Sequence, residues 1–262
     1  MPVFDKTISP LAPRPSDDTE GSGHTTVLLD VDGTLLDIAP TPQAVYVPSS
    51  LCQSLAALRE RLGGALALVS GRLISDIDGL FTPLRLPVVG GHNAELRPHG
   101  EGDTIDQRAY SLEPRLHAEL AAIAKRHEGV LFEDKGSSIA LHYRLVPKQG
   151  VSLNHDVKHA FEAWNDPSIE LLTGKAVLEI KHRGYNKGTG VRELMSLAPF
   201  NGRRPIYVGD DKTDEFAFAV MPEFEGIAVS VGRRISWVEH CIESPTEVRA
   251  WLEHLSAEAA VS

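Results

Sequence analysis

The sequence predicts an α/β fold: a Rossmann-like parallel-sheet core with an inserted α+β cap domain. Three observations predict it. Apolar, strand-like runs alternate with helical stretches through residues 24–96. From 97 to 181 the pattern becomes helix followed by two strand-like pieces, twice over. Alternating strands and helices then resume over 182–262. Strand–helix–strand order implies parallel strands with covering helices.

The elements follow in order. Residues 25–30 form a short apolar run that ends on Asp30. Residues 51–64 place Leu51, Leu55, Leu58 and Leu62 at helical spacing, with Ser49 or Ser50 as the expected cap and Gly63–Gly64 as the stop. The run 65-ALALVSGR-72 is a second strand that breaks at Gly71; a helix-like 73–81 and a third strand, 87-PVVGG-91, follow. In the insert, 112–127 and 151–164 are amphipathic, the latter with Leu153, Val157, Ala160, Phe161 and Trp164 on one face. Strand-like pieces 129–134 with 137–143, and 169–173 with 176–181, are joined by the turn-like DKGS and GK, so each pair reads as a hairpin. The core resumes with 205-PIYVGDD-211 and 226-GIAVSVG-232. It closes on a helix with Ser244 as cap, Pro245 in the first turn and Glu247 completing a capping box.

The bulk numbers bound the function class. The chain has 262 residues, enough for one large or two modest domains, and a net charge of −10. A nucleic-acid partner would want a basic face, which no cluster of Lys and Arg supplies. No apolar run reaches the roughly 18 residues of a membrane span, so no membrane partner is expected. Residues 1–23 are rich in Pro, Ser, Asp and Gly and read as a disordered tail without the basic-then-apolar pattern of a secretory signal. Cys52 and Cys241 are distant and lack metal spacing. They read as two reduced thiols, and the expected location is cytoplasmic.

The chemistry is in the strand ends. In 26-TVLLDVDGTLLDI-38, Asp30 and Asp32 are two apart, so in an extended chain they point the same way, and Gly33 permits a sharp turn at the sheet's carboxyl edge. A calcium loop counted from Asp30 would need Gly and Glu where Leu35 and Thr41 stand. A solvated turn or a catalytic pair remain. In 207-YVGDDKTDEF-216 a second strand offers Asp210, Asp211 and Asp214, which could serve only as an acidic helix start. If the two strand ends are neighbours, the five aspartates converge and need a hard cation; oxygen-only ligands point to Mg²⁺. Ser70, before Gly71 and Arg72, can hold phosphate oxygens with the backbone N–H groups that follow it. Lys187, in 185-YNKGTG-190, is either an ordinary surface lysine or the cation that bridges nucleophile and phosphate.

The ordered set DxDGT, SGR, Lys187 and GDDxTD resembles the haloacid dehalogenase superfamily of phosphohydrolases. Five further segments narrow the resemblance to its trehalose-6-phosphate phosphatase branch: 66-LALVSGR-72, 90-GGHNAELR-97, 133-EDKGSSIALHYR-144, 176-AVLEIKHRGYNKG-188 and 209-GDDKTDE-215. Asn93 stands where such sequences often have Gly, and His182 where they often have Pro. Asn tolerates the left-handed backbone that Gly would supply.

The resemblance implies a phosphatase that hydrolyses trehalose 6-phosphate to trehalose and phosphate. Asp30 would attack phosphorus and become an aspartyl-phosphate; Asp32 would protonate the leaving sugar oxygen and then activate water. Mg²⁺ would be held by Asp30, the Asp32 carbonyl and Asp210, with Asp211 or Asp214 steadying its waters. Ser70 and Lys187 would complete the catalytic set. Glu133, Lys135 and Glu179 would grip the distal glucose; Gly71, Arg72 and His92 are further substrate-binding candidates, and Arg72, His92 and Glu95 are expected near the domain junction. His142 and Arg144 alternate with Leu141 and Tyr143, and cross-strand pairing accounts for them equally well. The resemblance further implies a phosphorylated disaccharide as substrate and functional coupling to a trehalose-6-phosphate synthase. Its rivals are a related sugar phosphatase (for sucrose, mannosyl- or glucosylglycerate, or hexose phosphates) and a catalytically silent regulatory relative.

Overall fold

The computed structural model describes residues 25–41, 44–100, 106–107 and 111–257. The tail expected over 1–23 lies outside the described residues. The chain divides into two compact units. The first holds the described residues up to Ile38, those from Val45 to Asp106, and those from Asn186 onward; the second holds Ala39–Ala44 and Gln107–Tyr185.

In chain order the first unit supplies β1 (Thr25–Leu29), α1 (Ser49–Arg61), β2 (Leu66–Val69), α2 (Ile74–Phe81), β3 (Val88–Gly90) and β4 (Glu95–Arg97), and β5 (Asp106–Gln107) straddles the division. The second unit follows with α3 (Pro114–Arg126), β6 (Leu131–Asp134), β7 (Ser138–His142), α4 (Gly150–Trp164), β8 (Ile169–Gly174) and β9 (Val177–His182). The first resumes with α5 (Lys187–Leu194), β10 (Arg204–Gly209), α6 (Glu215–Val220), β11 (Ile227–Val231), β12 (His240–Ile242) and α7 (Pro245–Ala257).

The first unit is built on a sheet of order β12-β11-β10-β1-β2-β3-β4-β5. The pairs from β12 through β3 are parallel, and β3–β4 is antiparallel. The predicted α/β class is the observed one. The strands are buried on both faces, which is why β1, β2 and β10 carry consecutive apolar residues (Val27–Leu29, Leu66–Val69, Pro205–Ile206) instead of alternating ones. The order of the sheet reverses beside β1, and open α/β sheets place their sites at the carboxyl ends of the strands at such a point. Three adjacent strands, β10, β1 and β2, are followed at once by Asp210, Asp30 and Ser70.

Two helix starts refine the sequence reading. Neither Ser49 nor Ser50 caps α1: the cap position is Pro48, in extended backbone, and no side chain bonds the helix end. Proline's fixed φ already suits the helix entrance, so both serines fall inside the first turn. At α7, Ser244 Oγ accepts from Glu247 N at 3.3 Å, while the Glu247 carboxylate accepts from Glu243 N at 3.2 Å, one residue earlier than a standard box.

The second unit is an antiparallel sheet of order β6-β7-β9-β8. Both predicted hairpins form, and β7–β9 pairing joins them. Residues alternate between its faces. Ile139, Leu141, Leu178, Ile180 and Ile169 form one core with Leu116, Leu120 and Ile123 of α3 and Leu153, Val157 and Ala160 of α4. The other face carries Glu133, Ser138, His142 and Glu179. Cys52 and Cys241 are free thiols. Among the described residues, no helix is long and apolar enough to cross a membrane.

Candidate active site

The turn after β1 is fixed by the backbone. Gly33 N donates to Leu36 O at 2.7 Å, and Leu35 N and Leu36 N both donate to Val31 O. Gly33 has φ +83°, and a Cβ there would collide with the Asp210 carboxylate. That position therefore requires glycine on two counts: conformation and close approach. Asp30 N donates to Val208 O at 2.9 Å, which locks the turn to β10.

Among the described residues, Asp30, Asp210 and Asp214 each offer a carboxylate oxygen, all within 4.8 Å of one another and all buried. Lys187 enters this group. Its Nζ donates to Asp30 Oδ1 and to Asp214 Oδ1, each at 2.6 Å. Lys187 is delivered by the first turn of α5, which a capping box secures: the Asn186 side chain accepts from Thr189 N, and Thr189 Oγ1 accepts from Asn186 N, both at 3.0 Å. Thr34 Oγ1 donates to the other oxygen of Asp30 at 3.1 Å.

Asp214 is the most heavily bonded member. Its Oδ1 accepts from Lys187 and from the Tyr207 hydroxyl; its Oδ2 accepts from Asp210 N at 3.1 Å and Asp211 N at 2.9 Å. Four donors on two oxygens suit it to holding the site together more than to ligating a cation. Asp211 caps the short turn that follows β10, its side chain accepting from Lys212 N at 2.8 Å. Arg233 Nε braces the same loop by donating to Asp210 O at 2.9 Å.

The electrostatics are unbalanced. One ammonium faces three buried carboxylates. Burial, then the Asp214 charge, push the Asp30 carboxyl well above its usual range, and Lys187 only partly offsets them. For Lys187, burial would favour the neutral amine, but Asp214 and Asp30 more than reverse it and hold the ammonium charged. Oxygen-only donors carrying surplus negative charge fit a hard divalent cation.

Asp32 is placed differently from Asp30. Arg72 grips it as a fork, Nε to Oδ2 at 2.6 Å and a terminal nitrogen to Oδ1 at 2.7 Å. Asp32 is partly exposed while Asp30 is 4% exposed. So the two aspartates of one strand end occupy unlike surroundings. Ser70 Oγ accepts from Arg72 N at 3.1 Å. The segment Gly91–Asn93 has three successive positive φ values, 53°, 55° and 80°, so Asn93 does adopt the left-handed backbone. His92 N donates to Ser70 O at 3.0 Å, and the His92 ring lies where a side chain on Gly71 would collide with it. Glu95 instead accepts from Ile74 N at 2.7 Å and so caps α2.

In the second unit, Glu133, Ala140 and Glu179 lie in one row across β6, β7 and β9. Two carboxylates thus flank a methyl group. Lys135 Nζ lies 3.2 Å from Glu179 Oε1 and 4.0 Å from Glu133 Oε2. His142 Nε2 meets Glu133 Oε2 at 2.7 Å, and Ser138 Oγ donates to Glu179 Oε1 at 2.7 Å. Arg144 lies beyond β7 and donates to the Ala39 and Lys175 carbonyls.

Sequence reasoning named neither Thr34, Tyr207, Arg233 nor Ser138 as part of either cluster. Tyr207 carried the one usable signal, a phenol inside an otherwise apolar strand, which must find a partner when buried.

A scan against family models matches residues 28–249 to the family described as Trehalose-phosphatase. The chain belongs to the trehalose-phosphatase family. As a member it is a hydrolase of phosphate esters. A Sinorhizobium fredii protein described as a probable trehalose-phosphate phosphatase is 43% identical over 212 residues, covering 79% of this chain and 77% of its own. The Escherichia coli K12 trehalose-6-phosphate phosphatase is 36% identical over 227 residues, covering 87% and 85%. Among solved structures, the C-terminal domain of the C. albicans trehalose-6-phosphate phosphatase aligns with a TM-score of 0.77 at 21% identity, covering 90% of this chain and 93% of that one. At that identity the likeness shows a shared fold.

Proposed function

We propose that this trehalose-phosphatase family member hydrolyses trehalose 6-phosphate to trehalose and phosphate through an aspartyl-phosphate on Asp30. The observation that carries the reading is the buried Asp30 held by Lys187 at the end of β1, beside an Asp32 in quite different surroundings. The substrate follows the relatives at 36% and 43% identity.

The chemistry needs two carboxylates with different tasks. An Asp30 oxygen forms a bond to phosphorus as the bond from phosphorus to the sugar oxygen breaks. Asp32 gives its proton to that departing oxygen. A water then attacks phosphorus, Asp32 takes its proton, and the bond to Asp30 breaks to release phosphate. Lys187 offsets the repulsion between the carboxylate and the phosphate dianion. Ser70 and the N–H groups after it are suited to the phosphate's other oxygens. Arg72 orients the Asp32 carboxylate by bonding both of its oxygens, and must yield one of them when Asp32 carries the proton.

A bound Mg²⁺ would neutralise the surplus charge and polarise the phosphoryl group. The Asp30 and Asp210 carboxylates and the Asp32 carbonyl would hold it, with Asp214 and Asp211 ordering the loop around it. In the second unit, the carboxylates of Glu133 and Glu179 can accept from sugar hydroxyls and the Lys135 ammonium can donate to them. That composition supports a role for the insert in choosing a sugar. The two free thiols fit a cytoplasmic enzyme, and coupling to a synthase of the phosphorylated disaccharide follows from the family's chemistry.

The test is a panel of phosphorylated sugars assayed for released phosphate with Mg²⁺ and then with EDTA. Release from trehalose 6-phosphate that EDTA abolishes is expected. Release from hexose or other disaccharide phosphates but not from trehalose 6-phosphate would overturn the substrate. Undiminished release in EDTA would overturn the cation.

A further inference from the structure

β10 reads RPIYVG and is buried from Pro205 onward. Tyr207 is fully buried, its ring edge-on to Phe218 with centroids 5.7 Å apart. A phenylalanine would satisfy that packing. The extra oxygen instead brings a polar group into the core, which is favourable only if it is bonded. It is bonded to the charge that holds the site: the Tyr207 hydroxyl donates to Asp214 Oδ1 at 2.7 Å. The same oxygen accepts from Lys187 Nζ, which also donates to Asp30 Oδ1. Two donors from different elements, β10 and α5, therefore converge on one carboxylate oxygen and fix its place. The other Asp214 oxygen is fixed by backbone N–H groups. Burial, then the Asp214 charge, push the phenol well above its usual range, so the hydroxyl keeps its proton and stays a donor.

We infer that Tyr207 is a positioning residue for phosphoryl transfer, acting through Asp214 to set the Lys187 ammonium against Asp30. The inference rests on the phosphatase activity and on the role of Asp30, not on the identity of the sugar. Turnover is therefore measured on p-nitrophenyl phosphate, so failure of the disaccharide assignment leaves this test intact.

Tyr207→Phe removes one oxygen and keeps the shape. It should lower kcat about 10- to 100-fold, the range for a hydrogen bond to a charged group, with KM within about twofold. Phe218→Leu disturbs the same packing without touching the hydrogen bond. It should lower Tm and leave kcat within about twofold. A fluorotyrosine at position 207 alters donor strength at nearly constant shape. It should change kcat without changing Tm, and it keeps the test open if Tyr207→Phe folds poorly. The inference is overturned if Tyr207→Phe retains kcat within twofold of the parent, if Phe218→Leu lowers kcat as much, or if the fluorotyrosine protein turns over unchanged.

Discussion

The two units use charge in opposite ways. In the first, Asp30, Asp214 and Lys187 are each under 5% exposed, and each charged group is held by at least two partners. In the second, Glu133, Lys135 and His142 lie on a sheet face that remains partly open, with side chains 10–24% exposed. Buried charges feel little screening, so removing the Lys187 ammonium would leave its carboxylate partners uncompensated. Charges at an open face are softened by water, and their loss is graded. With the roles proposed above, the contrast predicts that activity fails all at once on changes in the first unit and is graded on changes in the second.

The largest expected effect tests the first half of that comparison. Asp30→Asn removes the proposed nucleophile while keeping shape, and it relieves a crowded carboxylate. Turnover should fall at least about 10³-fold on every phosphate ester, with Tm equal to or above that of the parent. Initial rates on an aryl and a sugar phosphate, with a thermal melt, check it. Turnover near the parental rate would remove Asp30 from the chemistry.

That much was legible in the sequence, because strand ends announce themselves. Asp30, Ser70 and Asp210 each follow an apolar run directly, and Gly33 marks the turn. Spacing alone does not say which aspartate does what; the separate roles of Asp30 and Asp32 are what the family resemblance implies. Asp214 is one of four acidic residues over 207–216, and only the fold reveals that its two oxygens are fully taken. The Tyr207 bond was hidden for the same reason: it joins positions whose contact depends on the turn between them. Short strands were lost too. β4 and β12 have three residues each, too few for any periodicity to show. In the second unit both hairpins were visible from their turns. The pairing of β7 with β9 spans the whole of α4 and β8, so the row Glu133–Ala140–Glu179 could not be read from local spacing.

A smaller effect sharpens the other half of the comparison. Glu133→Ala or Lys135→Ala should reduce kcat/KM for trehalose 6-phosphate about 10- to 100-fold, as expected when hydrogen bonds to charged groups are lost from a sugar. On p-nitrophenyl phosphate the same variants should stay within about threefold of the parent. The ratio of the two losses is the informative quantity. Equal losses on both substrates would place these residues in fold maintenance and not in recognition.

The smallest effect concerns stability and separates the two kinds of charge by pH. Burial is the largest single influence on Glu133 and pushes its carboxyl up, but the His142 hydrogen bond and the Lys135 charge more than reverse this and hold it below its usual range. A carboxylate lowered in the folded state stabilises the protein above the unfolded value. That contribution is lost as pH falls through the folded value, because the native state must then take up a proton it resists. Glu133→Gln cannot make the contribution at any pH. Near neutrality the variant should melt about 2 °C below the parent, a shift of the size a partly exposed pair supports. The gap should close as pH falls below the ordinary carboxylate range and through the lower folded value, and parent and variant should converge at the acid end. A gap constant across that range would mean that Glu133 contributes shape and not charge, and the second unit's polar face would then have to be treated as packing.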